Sequence, residues 1–105
     1  MNRFGILAML HARAGKEADV EIFLNSAAAL VEDETGTTAW YSFRIGPATF
    51  AIFDTFRDEE GRAAHANGEI ARALFKRAEE LFVAAPEIQL VDIVAERVQQ
   101  GNETT

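Results

Sequence analysis

The chain contains no cysteine. That absence excludes disulfides, thiolate nucleophiles, iron–sulfur clusters and cysteine-ligated zinc together. There are two histidines, His11 and His65, far apart and without the His-Glu-x-x-His spacing that would bring two ligands to one ion. No metal is expected. Basic residues are also scarce: ten Lys and Arg stand against seventeen Asp and Glu, a formal charge of −7. Such a chain repels phosphate backbones, and its scattered basic residues form no stripe, so nucleic acid is not an expected partner. No apolar run approaches the roughly 20 residues of a membrane span. The opening "MNRFGILAMLHARAGK" carries charge and strand-like alternation where a signal peptide would carry a small-residue cleavage site. No membrane association is expected, and a cytoplasmic location is. Gly-rich phosphate loops, the Gly-x-Ser-x-Gly elbow and Rossmann spacing are missing too. Acid–base, aromatic and hydroxyl chemistry remains.

What is present suits a single globular domain: 105 residues, 49% of them hydrophobic. We assign it to residues 1–98, with a polar tail, "QQGNETT", over 99–105. Phe4 to Arg13 reads as a buried strand ending at the Ala14-Gly15-Lys16 turn. Val20, Phe23, Leu24, Ala27 and Val31 then recur at helical spacing, which predicts an amphipathic helix of about four turns. It ends near "EDETG", where Gly36 is free to take a positive backbone angle. "TTAWYSFRI" and "ATFAIFDTF" flank Gly46-Pro47 as a hairpin. A tight turn would place Tyr41, Phe43 and Ile45 on one face with Phe50, Ile52, Asp54 and Phe56, and Trp40, Ser42, Arg44, Ala51 and Phe53 on the other. One extra loop residue would invert part of this. After "RDEEG" a helical region breaks at Asn67-Gly68 into a short and a longer helix and stops at Pro86. "EIQLVDIVAE" is the last strand.

The predicted order, strand, helix, strand, strand, helix, strand, is the α+β ferredoxin-like βαββαβ arrangement with both helices on one face of an antiparallel sheet. Both faces of the hairpin are apolar or aromatic, so the uncovered face calls for a partner, and a second copy of the chain is the economical one.

Four stretches in this order carry a resemblance: "ARAGKEADVEIFL", "EDETGTTAWYSF", "FAIFDTFRDEEGRAAH" and "PEIQLVDIV". The chain resembles the antibiotic biosynthesis monooxygenase family of dimeric α/β barrels. That resemblance implies a homodimer pairing its sheets face to face, with a ligand held between sheet and helices. It also implies oxygenation of a phenolic or quinol-like substrate without metal or flavin. Both the cofactor-free oxygenases and the haem-degrading relatives typically place a tryptophan where this chain has Phe56, and often an asparagine where it has Ile52 or Ala8. With both missing, haem degradation is not implied, whereas the polar residues of the oxygenases vary among relatives.

Within that frame the candidate catalytic residues are His65, Asp54 and Tyr41. Histidine alone among side chains has an ordinary pKa near working pH; His65 would take a phenolic proton or else pin a loop. Asp54 is an acid within an apolar strand, which needs a partner: Arg44, Arg57, His65 or a substrate hydroxyl. Tyr41 would orient the ring. Phe43, Phe50, Ile52, Phe56 and Trp40 would bind a small aromatic ligand, Trp40 and Tyr41 pointing to opposite faces because they are adjacent on a strand. Two other classes compete with the oxygenase: a non-catalytic dimeric module for ligand binding or stress response, and a hydratase, isomerase or cyclase using the same acid–base pair. The binding module is the reading if Asp54 pairs only with Arg44 and His65 points away. The hydratase, isomerase or cyclase needs the same acid–base pair without oxygen, and the sequence does not separate it from the oxygenase.

Overall fold

Four strands and four helices follow one another in the computed structural model, which describes residues 3–99. They are β1 (Phe4–His11), α1 (Glu17–Val31), β2 (Thr37–Arg44), β3 (Thr49–Phe56), α2 (Glu59–Ala66), α3 (Glu69–Lys76), α4 (Ala78–Leu81) and β4 (Glu87–Asp92). The sheet order is β2-β3-β1-β4 with every neighbour antiparallel. This is the expected ferredoxin-like sheet, open at β2 and β4. Among the described residues no helix is long and apolar enough to cross a membrane. Most of the polar tail, residues 100–105, lies outside the described residues.

Gly15 makes the turn into α1 at φ +86°, a region that L side chains avoid. Its N–H donates to Glu17 Oε1 at 3.0 Å, and Glu17 and Asp19 face the positive end of the helix. Val20, Phe23, Leu24 and Ala27 are the buried stripe of α1. They pack with Ala8, Leu10, Phe50, Ile52, Leu74, Leu81 and Phe82 into one core between sheet and helices.

Several expectations are corrected. Gly36 does not take a positive φ; Gly15 alone does among the described residues. The longer helix breaks at Arg77 into α3 and α4, and Phe82 leaves the helix to bridge Ala12. The last strand ends at Asp92, six residues long.

The hairpin register is the correction with consequences. Ile45 N–H donates to Thr49 O at 2.8 Å, which closes a loop of three residues, Gly46, Pro47 and Ala48, instead of two. The added residue moves β2 by one position, and a one-residue slip exchanges faces. Trp40 therefore pairs with Asp54, Ser42 with Ile52 and Arg44 with Phe50, all toward the helices, while Tyr41 pairs with Phe53 and Phe43 with Ala51 on the outer face. Trp40 and Tyr41 do point to opposite faces, as adjacent strand residues must.

Candidate functional site

β3 buries Phe50, Ile52, Asp54 and Phe56 on its helix side, so strand alternation delivers the Asp54 carboxyl into the core at 1% exposure. α2 starts at Asp58, whose side chain accepts from the Gly61 N–H at 2.8 Å. Two turns later it presents His65, the one buried side chain of that helix. The connection from α1 to β2 brings in Glu34, whose Oε1 accepts from the Thr37 hydroxyl at 2.7 Å.

These three residues, from separate parts of the chain, form a line. His65 Nδ1 lies 2.6 Å from Glu34 Oε1, and its Nε2 lies 2.9 Å from Asp54 Oδ2. The imidazole also packs on Phe56, ring centroids 5.2 Å apart. The Thr37 hydroxyl donates to Glu34 Oε1, and the short contacts on either side of the imidazole fit an arrangement with hydrogen on Nδ1 toward Glu34 and one proton shared between Nε2 and Asp54 Oδ2. Burial pushes the Asp54 carboxyl upward, and its bond to His65 opposes that without reversing it. For His65, burial acts downward, but hydrogen bonds to Asp54 and Glu34 overcome it and the net direction is up. Both directions mean that the pair holds its proton to a higher pH than either group would in water.

A close backbone approach lets Glu34 reach this position. A Cβ on Gly36 would sit 2.8 Å from Gly61 Cα, so the loop and the first turn of α2 touch only because both positions are glycine. Gly36→Ala is expected to separate them, cost about 1–3 kcal/mol of stability and loosen the Glu34–His65 bond. Thermal denaturation and the His65 ring ¹⁵N shifts read both effects. Gly46→Ala, whose Cβ would meet nothing within 4 Å, is the near-neutral comparison, and equal behaviour of the two variants would refute the argument.

The triad separates two spaces. On the inner side is a cavity of about 70 Å³, lined by Ile6, Ala8, Trp40, Ile52 and Asp54 of the sheet, by helix residues including His65, and by the partly exposed Phe75 and Ile88. On the outer side is an open cleft of about 360 Å³ that includes Asp33, Glu34, Gly61, His65 and Glu69. Two buried polar side-chain atoms have no hydrogen-bond partner among the described residues, Asp54 Oδ1 and Trp40 Nε1. They belong to cross-strand neighbours, and both residues line the inner cavity.

Of the residues proposed from sequence, Asp54, His65, Trp40 and Ile52 meet at this cavity, and Phe56 supports the imidazole from beneath. Phe50 is buried in the core with Arg44 over its ring at 5.0 Å. Tyr41 and Phe43 lie on the outer face, 60% and 45% exposed, away from His65. Asp54 pairs with His65 and not with Arg44, whose guanidinium is bonded to the Gly46 and Pro47 carbonyls. The sequence reading passed over Glu34. The Glu-x-Gly step before β2 was its only signal, and nothing local distinguishes that acid from Glu32 or Asp33. Among the described residues no cluster of acidic, His or Cys side chains fits a metal ion.

No family model and no curated protein matches the chain significantly. Among solved structures, NE2512, a protein of unknown function from Nitrosomonas europaea, is 42% identical, with 96% of this chain and 98% of that one covered and a TM-score of 0.91. A candidate antibiotic biosynthesis monooxygenase from Caulobacter crescentus is 20% identical, covering 90% and 92% at a TM-score of 0.77. Another from Deinococcus radiodurans is 15% identical, covering 93% and 99% at 0.76. At these lower identities what is shared is the fold.

Proposed function

The chain belongs to one family with the Nitrosomonas europaea protein and has the fold of the Caulobacter and Deinococcus structures, and from that premise we propose a monooxygenase that oxidises a small aromatic, quinol- or anthrone-like substrate with dioxygen and no cofactor. The observation that carries this reading is Asp54 Oδ1, a buried acceptor without a partner among the described residues, in a residue that lines a mostly apolar cavity together with its cross-strand neighbour Trp40, whose Nε1 is an equally unpartnered donor. A phenolic hydroxyl satisfies both at once, donating to Oδ1 and accepting from Nε1–H. When Asp54 takes its proton, the indole N–H remains on the oxygen that becomes anionic. The electron-rich anion passes one electron to dioxygen, and radical and superoxide join in a carbon–oxygen bond. The resulting peroxide takes a proton, its oxygen–oxygen bond breaks as the carbon-bound hydrogen leaves, and one oxygen stays as a carbonyl while the other departs as water. Two substrate hydrogens and one dioxygen are consumed. The protein supplies the base, the oxyanion donor and exclusion of water. At about 70 Å³ the cavity is smaller than the ~150 Å³ that encloses a benzene ring. It therefore takes the reacting edge of the ring, and the remainder lies between Phe75 and Ile88.

A homodimer is part of the proposal. Among the described residues no helix lies over the outer face of the sheet, which carries Leu7, Met9, Tyr41, Phe43 and Phe53; the segment after β4 lines a cleft with Tyr41 and Phe53 at one end of it. A second copy, presenting the same face across a two-fold axis, buries this surface. Sedimentation is expected to give a dimer for the wild type and a monomer for Phe43→Glu; a monomeric wild type refutes it.

One observation favours a non-catalytic binding module instead: His65 is the one buried side chain of α2, which is what a clamp holding that helix to the sheet would show. The experiment that separates the readings is oxygen uptake by metal-free protein in the dark against naphthoquinols and anthrones. Uptake proportional to protein is expected, and wild-type rates equal to buffer would favour the binding module.

A further inference from the structure

Asp54 is 1% exposed, so with substrate filling the cavity its carboxyl has almost no surface of its own from which to release a proton to water. His65 is the one titratable residue common to the linings of the inner cavity and the outer cleft. Beyond it stands Glu34, its side chain 21% exposed. We propose that Glu34 is the solvent-side end of a proton relay, a positioning residue that acts through His65 and lets the proton taken at Asp54 pass to the outer cleft and return. The inference rests on the reading of Asp54 as the base.

The hydrogen bonds fit a shift of one bond at each step. Written from the form with the shared proton on Oδ2, a substrate proton arrives on Asp54 Oδ1 as that proton moves to His65 Nε2, and the Nδ1 hydrogen moves to Glu34 Oε1. The net result is a substrate anion and a protonated Glu34, with Asp54 and His65 each holding as many protons as before. The reverse shift returns a proton to the peroxide. The charged groups around His65 favour passage of a proton. Asp54 faces it from β3 and Glu34 from the connection before β2, and Asp33 and Glu69 line the same cleft. Arg62 of α2 is directed elsewhere, to the Gly5 and Val91 carbonyls and the Phe4 ring. The Thr37 hydroxyl bond holds Glu34 Oε1 on the line.

Glu34→Gln keeps an oxygen for Nδ1–H and for Thr37 but cannot carry a proton. In the resting protein, exchange of the His65 ring hydrogens with water, followed by ¹⁵N-edited NMR, is expected to slow about tenfold or more, and acetate entering the cleft should restore it. In turnover, kcat is expected to fall roughly tenfold at unchanged KM, less than the ~100-fold loss for a group that takes the proton itself, with the same rescue. Asp33→Asn, which removes a neighbouring cleft charge, should leave exchange unchanged. Unaltered exchange in Glu34→Gln, or slowing that acetate does not relieve, overturns the relay. Should that variant not fold, Glu34→Asp, which draws the carboxylate back by one methylene, is expected to slow exchange less and to respond to acetate likewise; no change in it also overturns the relay. Wild-type protein without oxygen uptake but with Glu34-dependent exchange would refute the oxygenase and leave the relay standing.

Discussion

Replacing His65 with leucine is expected to destabilise the protein by about 3–5 kcal/mol near neutral pH, the range for removing one partner of a buried ion pair. For a domain of this size that corresponds to a fall in Tm on the order of 15–30 °C. The cause is what remains: Asp54, 1% exposed, loses the hydrogen bond at Oδ2, and α2 loses its one buried side chain. The pH dependence has a definite sign. His65 is raised above its ordinary 6.5 in the folded protein, so its contribution is complete below that value and is lost as pH rises through the higher folded one. Asp54 is raised above 3.8. Its contribution is therefore present in acid and lost as pH rises through its folded pKa. The wild type is thus expected to lose stability on the alkaline side of 6.5, and His65→Leu to regain part of its deficit as acid neutralises Asp54. Denaturation of both proteins between pH 5 and 9 measures this. A variant within a few degrees of wild type throughout would show that the triad is not what holds α2.

Asp54→Asn tests the chemistry with little change of shape. The amide occupies the same space and offers a hydrogen bond to His65, so the fold should persist, but it accepts no proton. Under the proposed mechanism oxygen uptake falls about 100-fold or more, while binding of an unreactive aromatic analogue, followed by Trp40 fluorescence, changes little. Rates within two- or threefold of wild type would remove Asp54 from the reaction. Activity and binding lost together, with the fold intact, would make Asp54 a ligand-binding group rather than the base.

The two variants separate the roles that one set of contacts supports. A clamp predicts that His65→Leu is severe and that Asp54→Asn is mild in every assay; a base predicts that Asp54→Asn is severe in turnover alone. A binding module was the reading to expect if Asp54 paired only with Arg44 and His65 pointed away. Asp54 instead pairs with His65 at 2.9 Å, which supports an acid–base site, and the unpartnered Asp54 Oδ1 is what carries the oxygenase reading.

Local sequence determined the elements. Helical spacing in Val20, Phe23, Leu24 and Ala27, alternation in β1 and β3, Gly15 at the first turn and Pro86 before β4 are short-range signals, and short-range physics produces the structures they predict. From the element order alone the ferredoxin-like sheet follows, and so does the need of Asp54 for a partner. Only the tertiary structure decided which partner it takes and what else faces it. The hairpin register depends on one loop residue, Ala48, whose inclusion carries Trp40 to the cavity and Tyr41 to the outer face. Glu34 joins His65 because the backbones at Gly36 and Gly61 touch, a contact between segments distant in sequence. Faces and triads are set by parity and by long-range approach, and neither leaves a periodic trace in the chain.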